Sequence, residues 1–250
     1  MADEQTNTNN TGNRTTVWNY MMGNKVAASL WLTRIMTISF TILFVLPIFG
    51  GNSYSFYQRA LLSNAATSAL RLYQRLPNFQ LNRQYFGQLI MEDSCHYLLY
   101  SLIFINSYPI TMVLAPLFLF SLLHACDYTK SILNILGSNS LQFMMNLIAS
   151  LELQQSNILR FIACNEIFLM PGIVLMIFSG KASLLLPFIY YRFITMRYSS
   201  RRNPYCRTLF HEMRITVETL CSKPQCPVFL KNFCYRGIAL ISRLAPQTNS

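Results

Sequence analysis

Long apolar runs, interrupted by prolines and a few charges, dominate the hydrophobic pattern of this sequence. The runs cover about Val26 to Phe49, residues 94–126, Ile158 to Gly180 and Ala182 to Met196. Residues 94–126 contain no Asp, Glu, Lys or Arg. As one helix they would be about 50 Å long, whereas the hydrocarbon core of a bilayer is about 30 Å thick. The pattern therefore predicts an all-α membrane protein.

Two C-terminal segments, residues 206–221 and 228–244, have the periodicity of amphipathic helices. Basic side chains flank both apolar stripes, as in helices that lie in the lipid interface. The alternative is that the two helices pack on each other as a small cytosolic domain. The predicted membrane-interface residues are Leu209, Phe210, Met213, Val217, Leu230, Phe233 and Leu240. The basic residues predicted to bind lipid or a partner are Arg197, Arg201, Arg202 and Arg207.

A further amphipathic helix is predicted for residues 59–76, within the membrane domain. The helical periodicity places Leu62, Ala65 and Tyr73 on its apolar face and Asn64 on the opposite, polar face. We expect this helix, like the C-terminal pair, to lie at the membrane surface.

Composition divides the chain into three regions. Residues 1–24, rich in Asn and Thr, are predicted to be a disordered polar tail. Residues 25–200 form the membrane domain, and residues 201–250 form a basic cytosolic region of amphipathic helices. The net charge of +11 favours a bilayer with anionic lipids as the partner. Nucleic acid is not expected, because no nucleic-acid-binding motif accompanies the basic residues.

Basic residues also indicate which segments face the cytosol. Segments 59–83 and 192–250 both carry a strong basic excess, so the positive-inside rule places both there. An even number of crossings must separate them, which allows either three spans or one span plus two membrane hairpins. In the hairpin architecture, Pro109 splits residues 94–126 into arms of about 22 Å, too short to cross the bilayer. The sequence leaves both architectures open, together with the side of the N-terminus.

Glu166 and its neighbour Asn165 are the polar residues that most need explanation, because they lie in an apolar run. A carboxylate at this position either clamps helices together or belongs to an ion path. We expect Lys181, Arg160 or Arg34 to offset its charge. A single isolated carboxylate favours the structural role over conduction.

Enzyme motifs are missing from the sequence. There is no phosphate-binding loop, no dinucleotide fingerprint and no nucleophile elbow. His211 and Glu212 begin a zinc-protease pattern that lacks its second histidine. We therefore predict a protein that is not an enzyme and that has no cofactor and no metal site.

Three long phrases of the chain resemble one known family. They are residues 92–112 (EDSCHYLLYSLIFINSYPITM), residues 157–171 (NILRFIACNEIFLMP) and residues 187–214 (PFIYYRFITMRYSSRRNPYCRTLFHEMR). On these phrases the chain resembles the transmembrane protein 33 family, which includes the insect Krüppel homolog 2 and fungal pore and ER membrane proteins. The resemblance runs from about Ser55 to Pro246.

The resemblance implies a non-enzymatic, multi-pass protein of the endoplasmic reticulum membrane and nuclear envelope. It implies a role in organising or regulating the tubular ER network and the nuclear pore membrane, through membrane insertion and partner binding. Reticulon-type ER-shaping proteins and nuclear pore or transport factors are the implied partners. Two alternatives remain, an adaptor for cytosolic partners and an ion channel or calcium-handling regulator that uses Glu166.

Overall fold

The computed structural model describes residues 16–46, 53–76, 82–137, 141–200 and 203–246. These residues are helical apart from short connections and contain no strand, which confirms the all-α prediction. The helices are α1 (residues 16–23), α2 (Lys25–Val45), α3 (Ser53–Arg75), α4 (Arg83–Met91), α5 (Asp93–Phe104), α6 (Thr111–Leu136), α7 (Gln142–Leu153), α8 (Gln155–Phe178), α9 (Leu186–Ser199), α10 (Tyr205–Ser222) and α11 (Val228–Leu244).

Three of these helices, α2, α6 and α8, are long and apolar enough to cross a membrane. They contain 21, 26 and 24 residues. At 1.5 Å per residue they are about 32–39 Å long, which exceeds the hydrocarbon thickness of about 30 Å. They correspond to the first three apolar runs of the sequence. The fourth run contributes α9, which at about 21 Å is too short to cross fully.

The first apolar helix, α2, forms a hairpin with α3. Near the C-terminal end of α2, the ring of Phe44 lies 5.6 Å from the ring of Tyr57 at the start of α3. Farther from the turn, the Thr67 hydroxyl donates to the Thr33 hydroxyl at 2.8 Å. The residue numbers rise along one helix as they fall along the other. The two helices are therefore antiparallel.

Two more hairpins follow in the sequence. In the second, Tyr100 of α5 donates to the carbonyl of Val113 of α6 at 3.0 Å, and the rings of Tyr97 and Phe120 lie 4.9 Å apart. These pairs make α5 and α6 antiparallel around the turn that contains Pro109. In the third hairpin, α9 packs back on α8 after residues 179–185, and both Tyr190 and Arg197 of α9 donate to Glu166 of α8.

The turns of the three hairpins lie at one end of the bundle, which we call the tip end. Gln58, near the start of α3, donates to the carbonyl of Ile105 in the α5–α6 turn at 3.2 Å. The ammonium of Lys181, in the α8–α9 turn, lies 4.8 Å from the centre of the Tyr108 ring. These contacts place the start of α3 and the α8–α9 turn beside the α5–α6 turn.

The opposite end of the bundle, which we call the open end, contains most of the charged contacts. There Arg75, at the end of α3, pairs with Glu92 at 3.0 Å, just before α5. Helix α7 packs on the C-terminal part of α6, where Lys130 pairs with Glu152 at 2.8 Å. Helix α10 packs on the N-terminal half of α8. Helices α7 and α10 therefore add to the bundle near its open end.

Aromatic residues fill the core between the hairpins. The rings of Tyr100 and Phe193 lie 4.9 Å apart, and Tyr190 lies 5.6 Å from Phe104. Each buried aromatic side chain removes about 150–250 Å² from solvent or lipid, so this cluster fixes the hairpins against one another. The fully or nearly buried core residues are Tyr57, Ala60, Leu61, Tyr97, Tyr100, Phe104, Val113, Leu114, Leu117, Leu169, Ile173, Leu186, Tyr190 and Phe193.

The predicted apolar face of α3 is wrong in part. Ala65 is buried, whereas Leu62 is exposed and Tyr73 is 83% exposed, so the predicted apolar face does not coincide with the side that packs on the protein. Asn64, assigned to the polar face, is instead buried and donates to the Ser101 hydroxyl at 2.8 Å. The reason is that α3 packs between α2 and α5 through small and polar side chains, as membrane helices do.

The structure begins within the predicted polar tail. Residues 1–15 lie outside the described residues, whereas residues 16–23 are helical. In this short helix the ring of Tyr20 lies 5.7 Å from the ring of Tyr128 on α6. Asn24 separates α1 from α2, and its side chain accepts from the amide of Ala27 at 3.4 Å. Aromatic packing therefore orders the part of the tail that precedes α2.

Gly180 ends α8 in a left-handed conformation, with φ of 68°. The Lys181 amide donates to the carbonyl of Met176 and the Gly180 amide donates to that of Ile177, both at 2.9 Å, as in a Schellman cap. We expect Gly180→Ala to lower the free energy of unfolding by about 1–2 kcal/mol, because an L side chain disfavours this conformation.

The matched control for this prediction is Gly172→Ala, inside α8. A Cβ there would meet nothing within 4 Å, so the variant should be neutral or more stable by about 0.5–1 kcal/mol. Unfolding of both variants in the same detergent compares them directly. Equal destabilisation by the two would contradict the role assigned to Gly180.

Candidate functional site

The most deeply buried charges in the described part of the chain are Glu166 of α8 and Arg197 of α9, each 1% exposed. The Arg197 Nε donates to Glu166 Oε2 at 3.1 Å. Its Nη1 donates to Oδ1 of Asp93, the first residue of α5, at 3.3 Å. We call Asp93, Glu166 and Arg197 the ionic centre. It joins the second hairpin to the third.

Hydroxyl groups also donate hydrogen bonds to the two carboxylates. Tyr97 donates to the second oxygen of Glu166, and Ser200 donates to Asp93 Oδ1 at 2.8 Å. Tyr190 donates to the backbone carbonyl of Glu166 at 2.8 Å. The guanidinium carbon of Arg197 also lies 5.1 Å from the centre of the Tyr97 ring, within cation–π range. Both oxygens of the Glu166 carboxylate are therefore bonded.

The partner of Glu166 differs from the three residues expected from the sequence. Lys181 lies at the tip end, Arg160 pairs with α10, and Arg34 donates to a backbone carbonyl of α6. Arg197, which we expected to face lipid or a protein partner, takes this place instead. The correction has a physical reason, because a buried carboxylate needs an opposite charge at hydrogen-bond distance.

The ionic centre has the geometry of a structural clamp. A buried ion pair contributes little net stability when intact, but removing one partner leaves an uncompensated charge in a medium of low dielectric. Glu166 contributes to the walls of neither of the two clefts at the open end. Its bonding and burial do not favour an ion path. Among the described residues, no group of three or more His, Cys, Asp or Glu side chains is placed to hold a metal ion.

Asn165, the other polar residue predicted within the apolar run, has a different role. Its side-chain amide donates to the carbonyl of Met112 at 2.7 Å. In a regular helix this carbonyl would accept from residue 116, four positions later, but that residue is Pro116 and has no N–H. Asn165 therefore supplies the hydrogen bond that the proline removes, and this contact joins α8 to α6.

This role predicts that Asn165→Ala lowers the free energy of unfolding by about 1–3 kcal/mol, since it leaves the Met112 carbonyl unpaired. In a Pro116→Ala background the backbone amide of residue 116 is restored, so the same substitution should have a much smaller effect. Thermal unfolding of the four proteins in this double-mutant cycle measures the difference. Additive effects would contradict the compensation.

The predicted membrane-interface residues of α11 lie on an open surface. Leu230 and Leu240 are exposed, Phe233 is 67% exposed, and no residue of this helix is buried. The hydroxyl of Tyr191 on α9 donates to the carbonyl of Leu244 at 2.8 Å, which ties the C-terminal end of α11 to the third hairpin. The helix is thus held beside the bundle with its apolar stripe uncovered.

The predicted interface residues of α10 are instead half-buried against the protein. The ring of Phe210 lies 5.9 Å from that of Tyr198, and Glu212 pairs with Arg160 of α8 at 2.7 Å. Helix α10 therefore connects α11 to the bundle, and α11 presents the freer apolar surface. The half-buried set comprises Leu209, Phe210, Met213 and Val217.

The remaining predicted basic residues are at the start of α10. Arg207 is exposed, whereas Arg201 and Arg202 lie outside the described residues. Their binding to lipid or a partner stays a prediction. Beside them, burial raises the pKa of the Cys206 thiol to about 12. This thiol is therefore protonated at neutral pH and is protected from modification.

Antiparallel apolar hairpins, a buried ionic clamp and one amphipathic helix with an uncovered apolar stripe define a multi-helix membrane protein. The chain belongs to the Transmembrane protein 33/Nucleoporin POM33 family, whose family model matches residues 9–247. The resemblance seen in the sequence is therefore confirmed.

Curated relatives match nearly the whole chain. It is 61% identical to human Transmembrane protein 33 over 228 residues, 91% of this chain and 92% of the human protein. It is 46% identical to Krueppel homolog 2 of Drosophila melanogaster over 224 residues, 90% of this chain and 80% of that protein. It is 25% identical to the Transmembrane protein 33 homolog of Dictyostelium discoideum over 213 residues, with coverage of 85% and 70%. No solved structure matches the chain.

Proposed function

We propose that this chain organises curved membrane of the endoplasmic reticulum and nuclear envelope and that it catalyses no reaction. Membership of a family described as Transmembrane protein 33/Nucleoporin POM33 supports the location. The proposed mechanism of membrane bending rests on one observation, which is that the three hairpins point in the same direction. Their turns meet at the tip end, and their charged ends meet at the open end.

From the ionic centre to the tip end the bundle is shallower than a bilayer, although α6 and α8 continue beyond this centre and are long enough in total to cross. The part of α8 from Glu166 to Phe178 is about 18 Å long, and the part of α6 from Thr111 to His124 is about 20 Å long. A hydrocarbon core is about 30 Å thick. With the ionic centre at one boundary of the hydrocarbon, the tips lie within the opposite leaflet. The hairpins then occupy one leaflet more fully than the other.

The additional helices at the open end add to this asymmetry. Helices α4, α7 and α10 surround that end, and α11 adds an uncovered apolar stripe beside it. Arg71, Arg75 and Arg83, together with the basic excess of segment 192–250, direct this end to the cytosol. A body that is wider in the cytosolic leaflet expands that leaflet and favours positive curvature.

Partner binding completes the proposed role. Arg207 is exposed, and the basic sequence that contains Arg201, Arg202 and Arg207 suits acidic partners and anionic lipid headgroups. Nuclear pore or transport factors are the proposed soluble partners, and reticulon-type proteins are the proposed partners within the membrane. An adaptor role is compatible with membrane organisation, because it uses a different surface from the hairpins.

Curvature preference can be tested with purified full-length protein in giant vesicles. A membrane tube of controlled radius is pulled from each vesicle, and the density of fluorescent protein on the tube is compared with that on the vesicle. We expect enrichment that increases as the tube narrows. Equal density at every radius would contradict the proposed function.

A further inference from the structure

The open end contains a cleft of about 180 Å³ between α2, α3, α5, α6 and α9. Four arginines contribute to its walls, whereas Asp93 is the acidic residue that lines it. Short polar side chains, including Asn64, Thr67 and Ser121, line the rest. The cleft is thus rich in hydrogen-bond donors. The four arginines are Arg34, Arg71, Arg75 and Arg197.

Two of these arginines have carboxylate partners in the protein. Arg75 pairs with Glu92, and Arg197 is shared between the two carboxylates of the ionic centre. Arg34 donates to the backbone carbonyl of His124 at 3.1 Å, which is a neutral acceptor. A cationic guanidinium bonded to a neutral group keeps its charge available for an anion in the same cleft.

One donor at this cleft is buried and unused. Arg197 lines the cleft, and its Nη2 has no hydrogen-bond partner in the part of the chain that the structure describes. Its other nitrogens are aimed at Glu166 and Asp93. An unpaired buried donor is unfavourable by about 1–3 kcal/mol. A ligand that enters the cleft and accepts a hydrogen bond from Nη2 would remove this cost, which favours its binding.

The cleft continues along α2 and α6. A second cavity of about 280 Å³ shares Arg34, Arg71 and His124 with the first. The Tyr128 hydroxyl contributes to this part and also lacks a hydrogen-bond partner among the described residues. Asp127 lines the second cavity, which has two of the arginines, whereas the first cleft has all four. The first cleft is therefore the more positive part of the groove. The whole groove has room for a charged group with a larger neutral portion attached.

We propose that this groove binds a phosphate group, with Arg34, Arg71 and Arg197 as its principal donors. The planar fork of a guanidinium matches two phosphate oxygens, and several arginines at one site are typical of phosphate recognition. A phospholipid headgroup and a soluble phosphate share this chemistry. The inference is independent of membrane shaping, because a discrete binding site requires no curvature.

The test uses full-length protein in alkyl maltoside micelles, which contain no phosphate. In one arm, inorganic phosphate is titrated against chloride at constant ionic strength. In the other arm, short-chain phosphatidic acid is titrated against the uncharged diacylglycerol. The midpoint of thermal unfolding reports binding, because a ligand of the folded state raises it. Native mass spectrometry of the same samples counts the bound molecules.

Three variants identify the site. Arg71→Gln removes a donor of the groove, and Ser121→Leu fills the cleft while leaving every charge in place. The matched control is Arg59→Gln, on the same helix but near the tip end, where Arg59 is exposed and lies 5.8 Å from the Phe56 ring. We expect phosphate affinity to fall at least tenfold in the first two variants and to stay unchanged in the control.

The two arms assign the source of the phosphate. Stabilisation by phosphatidic acid alone identifies the ligand as a lipid headgroup. Stabilisation by both ligands shows that the groove binds a phosphate group whether or not it belongs to a lipid. Two results would overturn the proposal. One is an unfolding midpoint that neither ligand changes, and the other is an equal loss of affinity in Arg59→Gln and Arg71→Gln.

Discussion

Replacing Arg197 with Met is expected to lower the free energy of unfolding by about 3–5 kcal/mol. The variant leaves Glu166 buried without an opposite charge and removes a partner of Asp93. A buried carboxylate without an opposite charge is unfavourable in a medium of low dielectric. Equilibrium unfolding in mixed micelles measures the loss.

The matched variant Glu166→Gln should be clearly milder. Gln keeps one oxygen for the Arg197 Nε donor, the Tyr97 hydroxyl can accept from the new amide group, and Arg197 retains Asp93 as its counter-charge. Combining Glu166→Gln with Arg197→Met should therefore be less destabilising than the sum of the two single changes, because no uncompensated buried glutamate remains. Strict additivity, or an effect of Arg197→Met below about 1 kcal/mol, would contradict the clamp.

The second large effect concerns the apolar stripe of α11. Substituting Asp for both Phe233 and Leu240 is expected to release this helix from the bilayer. Each of these side chains gains about 1.5–3 kcal/mol by burial in an apolar environment. Losing both shifts the equilibrium between bound and released helix by about 3–6 kcal/mol, which is more than a hundredfold.

Hydrogen exchange of the full-length protein in nanodiscs measures this release. Amides of residues 228–244 should exchange much faster in the variant than in the original protein. The charge-matched control carries Asp at Asn232 and Ser242, which lie on the opposite, polar side of the same helix. Its exchange should stay slow. Equal acceleration in both proteins would show that added charge, rather than loss of the apolar stripe, causes the change.

Hydrophobic periodicity predicts the local structure of this chain well. Helices predicted for residues 206–221 and 228–244 match Tyr205–Ser222 and Val228–Leu244 closely. The three long apolar helices were also predicted, as was a turn at Pro109 in one of the two architectures. Periodicity succeeds here because it depends on residues within one helix. The short helices α4 and α7 were not predicted, since neither has a long apolar run.

Tertiary contacts are what the sequence pattern could not reveal. The partner of Glu166 lies 31 residues away on the next helix, and Asp93 lies on another hairpin. An arginine in a basic stretch resembles a surface residue until the packing of α9 is known. The buried face of α3 was missed for a related reason. Between membrane helices, polar and small residues pack inward, so hydrophobicity no longer identifies the buried side.

The pairing of Asn165 with Pro116 shows a signal that sequence analysis can use. A proline inside a predicted membrane helix leaves one carbonyl without a donor, four residues earlier. An amide side chain in a neighbouring apolar run is a natural candidate to compensate it. The structure supplies the remaining information, which is that α6 and α8 are neighbours.

Glycosylation mapping tests the arrangement of the hairpins most directly. Asn9 and Asn13 lie in natural Asn-x-Thr sequons, and a third sequon can be placed near Ser138. Glycans are attached only on the lumenal side of the endoplasmic reticulum. If all three hairpins enter from the cytosol, none of these sites is modified, while a lumenal control protein in the same cells is. A glycan at Asn9, Asn13 or the engineered site would contradict this arrangement.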